Sequence, residues 1–346
     1  WSLGIIDTVD VGLARTLFSW TLHAIVYFWL FPAYIAMYTL LPRAAGGKLF
    51  SDTMGRFAFI MLLVFSIPIG FHHLYMDPFQ AAGWKFLHMT GTFMVAVPTL
   101  ITGFTVIASL EVAGRMRGGK GLFGWIRALP WKNPMVLAAG LAMLMLTLGG
   151  FGGMINASYS MNTMVHNTQW VTGHFHLIFA GTTVIMYFAI AYYLWPKMTG
   201  RKLYSNGMAI AQLWLWFIGM LVLTLPWHQL GIAGQPRRIS STPYDASLVQ
   251  QWTTSEALMI VGGAILTVSA LMLVYVLWKT HGHNQEETNR QVEYAEPFHP
   301  LVRVPALMNG LGFWTLMVVV YMVASYGYPI AQFFLMETHG TVPWSI

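Results

Sequence analysis

Two shortages dominate this sequence: it has no cysteine, and only 9% of its 346 residues are charged. Without cysteine there can be no disulfides, iron–sulfur clusters or thiolate metal sites, so any metal must be held by His, carboxylate or Met. The chain has 12 His and 23 Met. A soluble domain carries about 25% charged residues, so the low charge excludes a water-covered globule. Acidic residues are scarcer still, 12 in all, and none lies deep in an apolar run, since Glu111 and Glu256 sit near the ends of theirs. The hydrophobic fraction is 56% and the mean hydropathy +0.58. An all-α integral membrane protein is expected, because lipid offers no partner to open backbone groups. The pI near 9.5 reflects loop cations and not nucleic-acid binding.

Eight apolar stretches are long enough to cross a hydrocarbon core of about 30 Å, which takes roughly 20 residues. They fall at about 16–41, 54–76, 86–113, 133–155, 168–196, 207–233, 253–279 and 305–335. Ala45-Gly46-Gly47, the Arg117–Gly121 loop and the polar Thr280–Pro300 segment punctuate them. Residues 1–346 read as one transmembrane helical domain. The chain starts at Trp1 without a signal-peptide pattern, and is expected to be a piece of a longer polypeptide or of a split subunit. With both ends outside, only Arg15, Lys85, Arg237 and Arg238 of the 18 Lys and Arg face outward, as the positive-inside rule requires. The Arg237-Arg238 pair stands on the side that should lack one. It is either an ordinary loop pair or the answer to a fixed anion such as haem propionates.

Ionisable groups at membrane depth default to functional hypotheses. His23, His72, His73, His174 and His176 lie at similar depth in three spans. Singly, each could be a packing residue; together they suggest imidazole ligation of copper and iron. Residues i and i+2 of a helix differ by about 200°, so His174 and His176 point to opposite faces and could serve two haems. His72 and His73, adjacent at a helix end, could converge with His23 into a three-imidazole copper site with a coordination position left open. Tyr27, Tyr34 and Tyr38 fall with His23 within about 60° of one helical stripe, and Thr99 and Thr102 could extend this polar track. Alternatively, Tyr38 belongs to an aromatic belt and the threonines bond their own helix.

Thr21-Leu22-His23-Ala24-Ile25-Val26-Tyr27-Phe28-Trp29, Gly70-Phe71-His72-His73-Leu74-Tyr75-Met76-Asp77-Pro78 and Gly173-His174-Phe175-His176 resemble the catalytic subunit of haem–copper oxygen reductases. The B-type branch, which includes the ba-type cytochrome c oxidases, is the most similar. The resemblance covers the whole chain in order and corresponds to the last eight of about thirteen family helices. It implies copper on His23, His72 and His73, the high-spin haem iron on His174 and the low-spin haem iron on His176. It makes Tyr27 the tyrosine cross-linked to the copper ligand of its own helix. Arg237, Arg238 and His166 match the propionate region, and Asn162 stands where relatives often have an aspartate. Tyr34, Tyr38, Thr99 and Thr102 match the B-type proton path.

Three departures stand out. Leu22-His23-Ala24 replaces the usual Gly-His-Pro, adding bulk at Leu22 and restoring a backbone N–H at Ala24. Ile25 occupies the position of the A-type glutamate. No further His here suits the second axial position of the low-spin haem, which the resemblance assigns to upstream helices of subunit I that this chain lacks. The implied protein is a proton-translocating terminal oxidase of a respiratory chain in a prokaryotic plasma membrane, reducing O2 to water. Its implied partners are a copper-bearing subunit II and cytochrome c, with quinol the alternative electron donor. Nitric oxide reductases of the same superfamily hold non-haem iron near glutamates and lack the tyrosine, which Tyr27 and the absence of deep Glu disfavour. A transporter subunit without redox chemistry would not explain five His at one depth.

Overall fold

The computed structural model describes residues 3–5 and 7–336, so His339 lies outside the described residues. Eight long helices follow one another: α1 (Val11–Thr39), α2 (Asp52–Ser66), α3 (Ala82–Met116, interrupted only at Val95), α4 (Pro134–Ala157), α5 (Gln169–Thr199), α6 (Asn206–Ile232), α7 (Thr253–His281) and α8 (Leu311–Leu335). Their starts are written locally. Asp10 caps α1 by accepting from the Leu13 amide at 2.8 Å, Ser51 caps α2, and Asn133 caps α4 ahead of Pro134. Gly200, at φ 69°, ends α5 in the left-handed conformation that glycine adopts without strain.

Seven of these helices are long and apolar enough to cross a membrane. The expected crossing at 54–76 is divided. Its 15-residue helix α2 reaches only about 22 Å at 1.5 Å per residue, and the chain continues through a 3-10 turn, Gly70–His73. Pro68 supplies no N–H to prolong α2. The Pro68 carbonyl would lie 2.3 Å from a Cβ at Gly91, so α3 can pass only because that residue is glycine.

α6 packs along α7 and against the first turns of α5, while α4 packs against the middle of α5. There α5 widens into a π-helical stretch, Leu177–Thr183, a distortion that frequently accompanies functional sites. At the end expected to be cytoplasmic, two short strands, β1 (Leu49–Ser51) and β2 (Pro297–His299), pair in parallel. The Thr280–Pro300 segment is thereby fastened under α2. The main core runs from Leu30 through Tyr192 to Val276 and draws chiefly on α1, α4, α5 and α6, with residues of α3 and α7.

Candidate metal centre

His23 lies on α1, and His72 and His73 lie in the 3-10 turn after α2. The turn, not a regular helix, lets adjacent imidazoles converge, since neighbours on an α-helix point about 100° apart. The three rings have centroids 4.4, 4.7 and 4.3 Å apart, and one ligand atom from each lies within 4.8 Å of the others. Their protons are directed by the surroundings. Thr92 donates its one hydroxyl proton to the His88 carbonyl at 2.7 Å, so it accepts from His72 Nδ1–H at 3.2 Å and leaves His72 Nε2 bare. His23 Nδ1 is buried without a well-formed hydrogen bond among the described residues, although the Ser19 carbonyl approaches the ring. Buried polar atoms are rarely orphaned; a metal ion at this cluster would account for one. Three neutral imidazoles without thiolate or carboxylate suit copper.

The neighbouring helix presents two further imidazoles on opposite sides. His174 donates from Nδ1 to the Gly149 carbonyl of α4 at 2.9 Å, and its ring lies over Gly152 and Gly153, where Cβ atoms would come within 2.9 and 3.2 Å. His176 donates from Nδ1 to Thr172 O at 2.9 Å and faces Trp227 of α6 at 4.8 Å. In both, Nε2 remains available, the arrangement of an axial haem ligand whose other nitrogen is fixed by a carbonyl. His228 is used structurally: Nδ1 bonds the Thr224 carbonyl at 2.7 Å and the ring stands against Trp170.

A cavity of about 260 Å³ adjoins His73 and is walled by Arg15, Arg237 and Arg238. Arg237 is 8% exposed, and its Nε and Nη1 have no partner among the described residues. Burial, then Arg238 and Arg15, push its pKa down to about 9, and Asp77 only partly offsets them, so three arginines at this edge face one carboxylate and the site is short of negative charge. Carboxylates such as haem propionates would supply it. Arg238 stacks on Phe18 at 4.3 Å. Its φ of 60° and the 55° of Asn167 are left-handed values uncommon outside glycine. The two residues sit in segments bound together by Arg237 N–H to Asn167 O at 2.9 Å.

Arg15 and Asp77, not singled out from the sequence, join this edge. Arg15 bonds Asp77 at 2.8–2.9 Å and reaches Asn167 Oδ1 at 3.3 Å; His166 Nε2 lies 3.5 Å from Asp77. Burial alone would raise the Asp77 carboxyl, but His166 and Arg15 outweigh it and hold the pKa below 3.8. Asn162 donates to the His72 carbonyl at 3.1 Å, so it touches the ligand turn itself.

Tyr27, Tyr34 and Tyr38 all lie on α1, C-terminal to His23. Tyr38 donates to Thr102 of α3 at 3.1 Å. Tyr34 is fully buried, with its hydroxyl unpartnered among the described residues and Thr99 nearby. Thr105, one turn after Thr102, also approaches Tyr38; its i+3 spacing from Thr102 was the signal that could have found it. Tyr27 lines an apolar cleft of about 140 Å³ with Ala24, Trp20 and Met322.

The family described as "Cytochrome C and Quinol oxidase polypeptide I" matches residues 1–265. The chain belongs to this family. Among curated members, a cytochrome c oxidase subunit 1 of Thermus thermophilus is 42% identical over 96% of this chain and 60% of its own length. The Thermostichus vulcanus cytochrome c oxidase subunit 1 is 28% identical over 78% of this chain and 45% of its length. A solved structure titled as a heme-copper terminal oxidase dimer superposes with a TM-score of 0.87 at 33% identity, covering 99% of this chain and 61% of that one. The chain thus spans no more than about three fifths of these oxidase family members. Membership agrees with the resemblance carried by the three His motifs.

Proposed function

We propose that this chain carries the oxygen-reducing centre of a haem–copper terminal oxidase of the cytochrome c oxidase type. The observation that carries the reading is the convergence of His23, His72 and His73 beside a helix whose His174 and His176 face opposite ways. His23, His72 and His73 would hold a copper ion. His174 would hold the iron of a high-spin haem, and His176 that of a low-spin haem whose second ligand comes from other helices of the subunit. When bound, these groups supply the electrons and the open metal positions for reducing O2 to water.

The chain's own residues do the rest. Arg237 and Arg238, with His166 and Arg15 behind them, bind haem carboxylates and fix the ring edge. Asn162 holds the His72 carbonyl and so the ligand turn. Reducing O2 to two waters takes four protons and four electrons. Tyr38 and Thr102 pass a proton through their hydrogen bond. Tyr34, a buried hydroxyl with spare hydrogen-bonding capacity, takes it toward Tyr27 and the copper side. Taking protons from the inner face while electrons arrive from the outer one charges the membrane, about 2.3 kcal/mol per charge per 100 mV. The excess of Lys and Arg in the loops at the β1–β2 end supports an inner face there, with both ends of the chain outside. Cytochrome c, acting through a copper-bearing second subunit, is the proposed donor, in a prokaryotic plasma membrane.

Metal and haem analysis of the intact complex tests this. One copper per two haems, beyond the copper of the second subunit, is expected, with carbon monoxide binding to the high-spin haem lost in His174→Ala. Non-haem iron in place of copper would indicate nitric oxide reduction, and absence of haem would overturn the proposal.

A further inference from the structure

The turn that carries His72 and His73 is irregular backbone in a membrane protein, where every N–H and C=O must find a partner inside the protein. At the end of α2 the Ile67 carbonyl loses its helical partner and keeps only the short-range Ile69 N–H at 3.0 Å, and the Gly70 amide has no helical acceptor. A single side chain of α8 meets both. Tyr326 Oη accepts from Gly70 N–H at 3.1 Å and donates to Ile67 O at 3.1 Å. Gly70 permits the approach, since a Cβ there would lie 2.6 Å from Tyr326 Oη and 2.9 Å from the Ser19 carbonyl of α1.

The next amide, Phe71 N–H, goes to His88 Nδ1 at 3.4 Å, and His88 Nε2–H reaches the Ser325 carbonyl at 3.2 Å. That carbonyl is free because its helical partner four residues on would be Pro329, which has no N–H. His88 therefore spends both nitrogens joining α8 to the turn. Its ring stacks on Phe71 at 3.9 Å and 8°, and Tyr326 stands edge-on to both, at 5.5 and 5.0 Å. Phe71 immediately precedes His72, so this sandwich holds the backbone from which both ligands spring. α8 lies beyond residues 1–265 that match the family.

We infer that α8 is a clamp on the proposed copper site, with Tyr326 and His88 as positioning residues that set the geometry of His72 and His73 without touching the metal. The inference rests on the reading of those histidines as copper ligands. In the holoenzyme, Tyr326→Phe keeps the ring and removes only the hydroxyl, leaving Gly70 N–H and Ile67 O without it. Copper retention against a graded chelator is expected to weaken about 10–100-fold, as for other groups behind metal ligands. The infrared stretch of carbon monoxide on copper should broaden or shift. Tyr328→Phe, whose hydroxyl points to Met336, should match wild type in both readouts. If Tyr326→Phe does not assemble, His88→Gln and His88→Leu decide the matter. Gln can serve both Phe71 N–H and Ser325 O and should retain copper; Leu should lose it. Wild-type retention and an unchanged carbonyl band in Tyr326→Phe, or equal retention in the two His88 variants, would overturn the clamp alone. A wild-type complex with no copper beyond that of the second subunit, and no carbon monoxide stretch on copper, would instead overturn the site reading on which it rests.

Discussion

On α4 a Cβ at Gly152 would lie 2.9 Å from His174 Nδ1, whereas one at Gly150 would meet nothing within 4 Å. One methyl group should therefore separate two phenotypes. Gly152→Ala must displace either the imidazole or α4, at a cost of about 1–3 kcal/mol, and should diminish the carbon-monoxide difference spectrum of the high-spin haem. Gly150→Ala should stay within about 0.5 kcal/mol of wild type, with an unaltered spectrum. Thermal unfolding and reduced-plus-CO spectra of the complex check both. A second residue-scale prediction concerns pH. Asp77 has a depressed carboxyl pKa in the fold. It contributes stability that is present above the unfolded value and lost as pH falls through the folded one. Asp77→Asn should accordingly flatten the acid limb of the stability profile below about pH 4 and leave its alkaline limb in place.

Between elements, the contact of α1 with α3 through Tyr38 and Thr102 is narrow enough to test alone. Tyr38→Phe and Thr102→Val each remove one half of a buried 3.1 Å hydrogen bond that involves none of the five histidines. Each should slow oxygen consumption on the order of tenfold or more if proton transfer limits turnover, at unchanged haem and copper content. Wild-type rates in both variants would remove these residues from the proton route. A different contact governs the end of α2. Because a Cβ at Gly91 would strike the Pro68 carbonyl at 2.3 Å, Gly91→Ala should push α3 off the ligand turn. A lowered unfolding temperature and lost copper, measured together, are the expected result.

For the whole molecule, the absence of cysteine makes topology directly testable. A single cysteine at Ser241, in the segment after Arg238, should react with a membrane-impermeant maleimide in intact cells. One at Lys120, in the loop after α3, should react only once the membrane is opened. The reverse pattern would invert the bundle and contradict the distribution of its cations. The cytoplasmic end is expected to be the one tied by β1–β2 and by Arg43 to Glu293 at 2.7 Å.

Sequence alone determined the class, the helices and the metal-ligand candidates. Low charge and long apolar runs leave a helical bundle as the only architecture that satisfies the backbone in lipid, and imidazoles at membrane depth are too costly to be incidental. The i, i+2 spacing of His174 and His176, and the stripe from His23 to Tyr38, follow from helical periodicity. Only the tertiary structure decided what depends on distance between elements. It joined Arg15 to Asp77 across 62 positions and set Asn162 on the His72 carbonyl. It brought Tyr326 to Gly70 across 256 positions, and it divided α2 from the 3-10 turn where periodicity suggested one continuous span. Periodicity describes how a helix repeats along its own axis; which carbonyl is freed at its end, and which distant hydroxyl reaches that carbonyl, is settled by packing.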